Sequence, residues 1–419
     1  MIYLSIGSNS GARLHNLREA AKRLVENGVA VHRTSPIYET AAFLPSEAPD
    51  DWNKPYLNAA IEVSVGDNVS PADLLRLVKN IEREMGAPHT ERWAPRIIDI
   101  DIVFWNGETV STKDLKIPHP EFARRAFVLD PMSHLCPRFT PPGGTKTILE
   151  MAHENPQHQP VVMGILNLSP DSFSGWSGLD HDMLDKWMND GIQIIDIGAE
   201  STNPKSTPLN PKTEMNRLES VFDIVKNKKQ EFFSPIFSID TYHQETAAAA
   251  LDCGFNILND VGGLSNPGML SIASSFDQVI VMHSLTIPAN PAVVINGDAI
   301  EELEKWLEQR THSWESAGIP LDKLIFDPGI GFGKTANQSL KIVQNLRVFE
   351  KYGLRTLLGH SRKSFMKIFS HADAAYRDAE TLGLSLSVAG ADILRVHEPL
   401  LHKRSMLAKA HAFNQFYRA

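Results

Sequence analysis

Eight short apolar runs spread over about 260 residues constrain this chain more than any other feature. They are Val161–Leu166, Ile192–Ile197, Pro235–Ile239, Phe255–Leu258, Val279–Met282, Leu324–Phe326, Leu354–Leu358 and Asp392–Val396. Most are apolar on both faces, which suits a parallel sheet or barrel and not a half-exposed hairpin. Helical stretches such as Ala247–Asp252, Ala299–Ala317 and Ser339–Lys351 lie between them. Eight strand–helix repeats predict a (β/α)8 TIM barrel; a doubly wound sheet is the runner-up, but no GxGxxG follows the first strand. In such a barrel, function collects at the C-terminal ends of the strands. There the sequence offers Asn167, Asp196, Asp240, Asn259, His283, Asp327, His360 to Lys363, Arg395 and His397. Any one of them reads as a layering or capping residue; together they read as one mouth. Asp196 is left without a role, and His283 as a group that only lines the pocket. Gly329–Thr335 (GIGFGKT) is not a Walker loop, because Pro328 stands where the first glycine belongs. Its glycines are expected to let backbone approach a flat ligand.

The preceding residues have a different order. Met1–Ile6 reads as a strand and Gly11–Glu26 as a helix. Val29–Glu39 and Tyr56–Val65 follow as strands, then a helix from Ser70-Pro71 to Met85, then a strand Arg96–Trp105. This βαββαβ order predicts a ferredoxin-like α+β domain. At 419 residues two domains are natural. The boundaries are set at 1–153, a Pro-containing linker at 154–160, and the barrel at 161–419. Asp99 and Asp101, two apart on a strand, point to one side, with Ile98, Ile100 and Ile102 on the other. Paired carboxylates beside Arg92, Trp93 and Arg96 point to Mg²⁺ held together with phosphates; a solvated edge is the alternative. His119, Arg124 and Arg125 form a second basic cluster.

Net charge is −9 and no basic block stands out, so nucleic acid is excluded as a partner. No apolar run approaches the ~18 residues of a membrane span, and the start MIYLSIGSNS is not a secretion signal. Two distant cysteines, Cys136 and Cys253, suit a reducing, cytoplasmic setting.

RWAPRIIDIDIVFW, followed by IPHPEFARRAF and preceded by LSIGSN and PYLNAAIEV, resembles 6-hydroxymethyl-7,8-dihydropterin pyrophosphokinase. That resemblance implies pyrophosphate transfer from ATP to the pterin hydroxymethyl group, with AMP released. It implies two Mg²⁺ on Asp99 and Asp101, and ATP phosphates on Arg96, His119 and Arg125. Arg92 and Trp93 would lie on a closing loop, Arg92 among the catalytic groups and Trp93 in contact with ATP. Tyr56 and Phe127 would sandwich the pterin, Asn58 would bond its edge, and Thr40 would add backbone contacts. Ala41-Ala42 after Thr40, and Pro120 after His119, depart from the family pattern.

MGILNLSPDSFS, IDIGAEST, FSIDTY, LNDVGG, FDPGIGFGK, GHSRKSF and LRVHEP occur in the order of dihydropteroate synthase, which the second segment resembles. The resemblance implies condensation of the pterin pyrophosphate with p-aminobenzoate. Asp240, Asn259, Asp327 and Lys363 would hold the pterin, with Asp327 and Lys363 as catalytic groups. Arg395, His397, Thr202 and Asn167 would hold pyrophosphate, and Asn167 one Mg²⁺. Phe332, Ser361 and Arg362 would line the p-aminobenzoate side, and Ser172–Phe173 a closing loop. Asn203 stands where the family commonly has arginine, which predicts a weaker grip on pyrophosphate. The resemblance also admits a homodimer through the barrel. One live domain with one relic, or a non-catalytic pterin-binding scaffold, are the alternatives to a two-step enzyme.

Overall fold

The computed structural model describes residues 1–45, 47–86, 93–168, 181–200, 208–228 and 231–414. It divides into two compact units, one built chiefly on Met1–Gln159, the other chiefly on Pro160–Gln230 and Ser234–Lys403. Among the described residues no helix is long and apolar enough to cross a membrane.

The first unit runs β1 (Ile2–Ser8), α1 (Arg13–Glu26), β2 (Ala30–Thr34), β3 (Tyr38–Thr40), β4 (Tyr56–Ser64), α2 (Pro71–Glu84) and β5 (Asp99–Trp105). A small hairpin, β6 (Val110–Ser111) and β7 (Lys116–Ile117), and helices α3 (Ala126–Leu135) and α4 (Ile148–Glu154) complete it. The sheet is antiparallel in the order β2-β4-β1-β5, with β3 also paired to β4. That is the expected ferredoxin-like α+β arrangement with an added short strand. The single strand expected over Val29–Glu39 is two, because Ser35-Pro36 interrupts it: proline has no N–H for the ladder.

Strand parity divides the sheet's work. Ile2, Leu4 and Ile6 of β1, Ile61 and Val63 of β4 and Ile100 and Ile102 of β5 are buried in one core with Leu17, Leu24, Leu74 and Val78 of the helices. On the opposite face Tyr3, Ala60 and Val103 pack with α3 and α4. Farther along that same face the side chains are Ser5, Gly7, Tyr56, Asn58, Asp99 and Asp101, and there a cavity opens. Helix α2 begins as its sequence predicts: Ser70 Oγ accepts from Asp73 N at 3.2 Å, Asp73 Oδ2 accepts from Ser70 N at 3.0 Å, and Pro71 takes the first helical position.

The second unit alternates strand and helix: β8 (Val161–Asn167), α5 (His181–Asn189), β9 (Ile194–Gly198), α6 (Pro211–Lys228), β10 (Ile236–Asp240), α7 (Gln244–Cys253), β11 (Ile257–Asp260) and α8 (Pro267–Ala273). Then come β12 (Gln278–Met282), α9 (Ala299–Ser316), β13 (Leu324–Asp327), α10 (Ala336–Gln344), β14 (Arg355–Leu358), α11 (Asp378–Ser387), β15 (Ile393–Val396) and α12 (Pro399–Asn414), whose residues from Arg404 on group with the first unit. The eight strands close in the order β10-β11-β12-β13-β14-β15-β8-β9, each neighbour parallel. This is the expected (β/α)8 barrel, with every strand within about two residues of its apolar run.

Candidate active sites

In the first unit, a cavity of about 260 Å³ is lined by the sheet-face residues above and by Thr40, Trp93, Arg96, His119, Arg125 and Phe127. Asp99 and Asp101 both face it, as alternation requires. Asp99 Oδ1 accepts from Arg96 Nη1 at 2.5 Å. Asp101 Oδ2 lies 3.9 Å from Arg125 Nη1 and 4.0 Å from His119 Nε2. Burial, and then the neighbouring Asp99 charge, push the Asp101 carboxyl up; His119, Lys79 and Arg125 oppose this. Burial lowers His119 against the pull of Asp101. Burial and the Asp99 carboxylate raise the Tyr56 hydroxyl to about 12. Two carboxylates side by side and open to one cavity form a donor set that fits a divalent cation.

The pterin-edge candidates sit at the other side of this cavity. Asn58 Nδ2 donates to Thr40 Oγ1 at 2.8 Å, which leaves Oδ1 as a fixed acceptor. A Cβ on Gly7 would stand 2.8 Å from that oxygen, so glycine is needed there. The Arg125 guanidinium carbon lies 5.6 Å from the Phe127 ring centre. Trp93 has φ +78° and its ring lies 6.1 Å from that of Phe43. Arg92 lies outside the described residues.

Two supports were not anticipated. Asn9 is buried and grips Arg96 twice: its N–H donates to Arg96 O at 3.1 Å, and its Oδ1 accepts from Arg96 N at 2.7 Å. Glu82 Oε1 accepts from Ile100 N at 2.8 Å and from Lys79 Nζ at 2.8 Å, capping the outer edge of β5 between the two aspartates. The signal was present: Glu82 is an acid beside the apolar stripe Leu74, Val78 and Ile81.

In the barrel, Asp240, Asn259, Asp327, Lys363 and Arg395 are brought together from five consecutive or neighbouring strand ends. Arg395 on β15 reaches across the mouth, its Nε donating to Asp196 Oδ2 at 2.5 Å and its Nη2 to Asp240 Oδ2 at 2.6 Å. Asn259 Nδ2 donates to the same Asp196 oxygen at 3.0 Å. Asp196, left without a role by the sequence, is therefore the fully buried hub of this network. Burial raises the Asp240 carboxyl and Arg395 opposes it. Asp327 Oδ1 accepts from Gly329 N at 2.8 Å. Burial lowers Lys363 to about 8 while Asp327 pulls it upward, and the Lys363 ammonium lies 4.3 Å from the Phe332 ring centre.

The remaining candidates are placed as follows. Asn167 ends β8 and is exposed. Ser361 Oγ pairs with His397 Nδ1 at 2.9 Å. Burial, then the Arg362 and Arg395 charges, lower His397 to about 3, so it is a neutral imidazole near neutral pH. Arg362 has φ +58°, and its guanidinium is bonded to both Asp378 oxygens at 2.7 and 2.8 Å and to Glu398 at 3.0 Å. Its charge is thus committed to carboxylates at the start of α11 and just after β15. His283 is more than a lining group, since Lys334 Nζ bonds its Nδ1 at 2.9 Å. The loop glycines also do something other than expected. A Cβ on Gly329 would stand 2.0 Å from His283 O, and one on Gly333 2.6 Å from Leu285 Cγ, so they admit neighbouring chain. Ser172, Phe173, Thr202 and Asn203 lie outside the described residues.

A cavity of paired carboxylates and cations on an antiparallel sheet, joined in one chain to a barrel mouth of alternating carboxylates and cations, fits a two-site transferase. Residues 3–137 match the family described as 7,8-dihydro-6-hydroxymethylpterin-pyrophosphokinase, and residues 163–397 the family described as pterin binding enzyme. The "Folate synthesis bifunctional protein" of Chlamydia caviae is 34% identical, over 98% of this chain and 97% of its own length. The mitochondrial "Folate synthesis bifunctional protein" of Arabidopsis thaliana is 31% identical, over 94% and 80%. Among solved structures, dihydropteroate synthase from Anaplasma phagocytophilum with bound 6-hydroxymethylpterin-monophosphate superposes with a TM-score of 0.54 at 30% identity, covering 60% of this chain and 98% of that one. The Xanthomonas albilineans synthase with 4-aminobenzoic acid gives 0.54 at 28%, covering 61% and 94%. The chain belongs to the family of bifunctional folate-synthesis proteins. It is an enzyme with two transferase activities, a hydroxymethyldihydropterin pyrophosphokinase and a dihydropteroate synthase.

Proposed function

We propose that each site performs its step with the side chains described above, and that the first product is the second substrate. Residues 1–153 are taken as the pyrophosphokinase module, 154–160 as linker and 161–419 as the synthase module. The end of α4 at Glu154 and the division of contacts after Gln159 support the boundary between them, while Glu231–Phe233 and the residues from Arg404 on group with the first unit. Cys136 and Cys253, neither of them in a disulfide, support a reducing cytoplasmic location.

In the first site Asp99 and Asp101 would hold two Mg²⁺ together with ATP, and these ions would screen phosphate charge. Arg96, His119 and Arg125 orient the phosphates, with Arg92 and Trp93 closing over them. The pterin lies between Tyr56 and Phe127, read by Asn58 Oδ1 and held beside Thr40. Its hydroxymethyl oxygen attacks the β-phosphorus of ATP and loses its proton, the bond to the α-phosphate oxygen breaks, and AMP leaves. The protein contributes position and charge, with no covalent step of its own.

In the second site Asp240 and Asn259 read the pterin's donor–acceptor edge, and Lys363 faces its carbonyl side. Asp327 stabilises the cationic pterin that remains as pyrophosphate departs. Arg395, Thr202 and a neutral His397 receive the pyrophosphate, and Asn167 would help hold one Mg²⁺ that would offset its charge. The amine of p-aminobenzoate, held along Phe332 and Ser361, then attacks and loses a proton. Arg362 contributes to this wall through its turn, given its bonds to Asp378 and Glu398.

The observation that carries the reading is the meeting of Asp99 and Asp101 with three cationic side chains in one cavity of a chain whose barrel mouth gathers Asp240, Asp327, Lys363 and Arg395. A coupled assay with ATP, Mg²⁺, hydroxymethyldihydropterin and p-aminobenzoate tests it. Asp99→Ala is expected to lose AMP formation by at least about a hundredfold yet still use added pterin pyrophosphate. Lys363→Ala is expected to lose dihydropteroate by a similar factor and keep AMP formation. Loss of both activities in either variant would refute separate sites.

A further inference from the structure

Lys334 is almost fully buried, and nothing in the reaction above uses it. An ammonium has three N–H bonds and no lone pair. Here they find three acceptors: His283 Nδ1 at 2.9 Å, Phe332 O at 2.9 Å and His283 O at 3.3 Å. His283 is fit for its part, because burial and the Lys334 charge lower it to about 3 and keep it neutral. Lys334 itself is lowered to about 7 by burial, with Asp327 opposing that shift.

Its position explains what those bonds accomplish. The turn from Asp327 to Thr335 leaves β13 and enters α10, where Thr335 and Gln338 form a capping box. Between those anchors the turn is held to the end of β12. His283 N donates to Asp327 O at 3.0 Å, and Ile295 N to Gly333 O at 2.9 Å. Phe332 projects from this turn into a small apolar cluster with Val261, Met282 and Ala289. Its other neighbour is the Lys363 ammonium. Only Lys334 bonds the Phe332 backbone to β12 through a side chain among the described residues.

We propose that Lys334 is a positioning residue of the synthase reaction: by tying Phe332 O to His283, it fixes the ring face on which the Lys363 ammonium rests and along which p-aminobenzoate is held. This rests on the reading of Phe332 and Lys363 as walls of the second site. The lysine touches neither substrate, so its effect passes through Phe332.

The test uses the full-length chain, with pterin pyrophosphate and p-aminobenzoate supplied and AMP formation followed separately as an internal check. Lys334→Met keeps the aliphatic stem and removes every donor. It is expected to raise the p-aminobenzoate KM by about fivefold or more and to lower kcat, with AMP formation unchanged. In a Phe332→Ala background the same change should add less than about twofold, because the group it positions is gone. Lys334→Gln, which retains a donor, should recover part of the loss. If Phe332→Ala alone leaves dihydropteroate formation intact, the reading of that wall is wrong and the role of Lys334 goes with it. If Phe332→Ala impairs the reaction but Lys334→Met does not, or the two effects multiply, only the role of Lys334 is overturned. Loss of the barrel's folded fraction in Lys334→Met, unrelieved in Lys334→Gln, would also overturn it in favour of a plain structural strut.

Discussion

Arg395 holds two carboxylates from two different strands, and its own removal is the most informative single change in the barrel. Without it, Asp196 and Asp240 would lose the one cation bonded to both, a loss of about 3–5 kcal/mol. Burial already raises Asp240, and Arg395 opposes that rise. In Arg395→Met the folded carboxyl therefore rises further above its unfolded value. Such a group stabilises only while protonated, so the deficit should be smallest in acid and grow as pH rises; urea unfolding across pH reads this directly. Lys363 gives a second pH signature. Its charged form is the working one and burial lowers it to about 8, so synthase kcat/KM should fall as pH climbs through that value. A flat profile to pH 10 or so would contradict the ammonium's role. For Asn203, a return to arginine is expected to lower the KM for pterin pyrophosphate, and unchanged KM values for both substrates would dismiss the weaker grip inferred there. At this scale the sequence exposes residues whose direction is fixed by strand parity, as with Asp99 and Asp101. It hides those whose partners come from afar. Arg362 looks like a free cation in HSRKS, but its partner Asp378 belongs to a helix sixteen residues on.

Strand β5 shows how an element prepares chemistry. It is an edge strand, and an unpaired edge N–H between two aspartates would be poorly fixed. Glu82 from α2 takes up that N–H, while β1 pairs with the other edge. Gly7 on β1 tests the precision of this sheet face. Gly7→Ala would force Asn58 aside, so the pterin KM of the first reaction should rise by roughly tenfold, equivalent to about 1.4 kcal/mol, with the ATP KM little changed. An equal rise in both would mean the sheet itself had shifted. Elements with a clean period were legible, including α2 with its cap and all eight barrel strands. Helix α3 was not, because nearly every residue from Ala126 to Leu135 is buried and Pro131 lies inside it. A helix with no exposed face has no amphipathic period to read.

At the scale of the molecule, the βαββαβ order and the βα alternation separate two architectures, and the motif resemblances supply the two chemistries. The coordination of one site with the other was not legible, since alternation and motif order act within a unit. We expect the pterin pyrophosphate to diffuse between sites, so a competing synthase added in excess should capture it fully; protection from capture would show direct transfer. The two units also face different histories. In the barrel, the polar mouth lies at strand ends, apart from the interior that keeps it folded. In the first unit one sheet face is both, with Tyr3 and Val103 under α3 and Ser5 and Asp101 in the cavity on the same strands. A mutation that resizes that core shifts the Asp99 and Asp101 carboxylates with it, whereas the barrel can change its loops and leave its strands alone. The N-terminal half of this gene should therefore accept fewer substitutions per site in its strands than the C-terminal half accepts in its loops, and new specificities should arise more readily in the barrel.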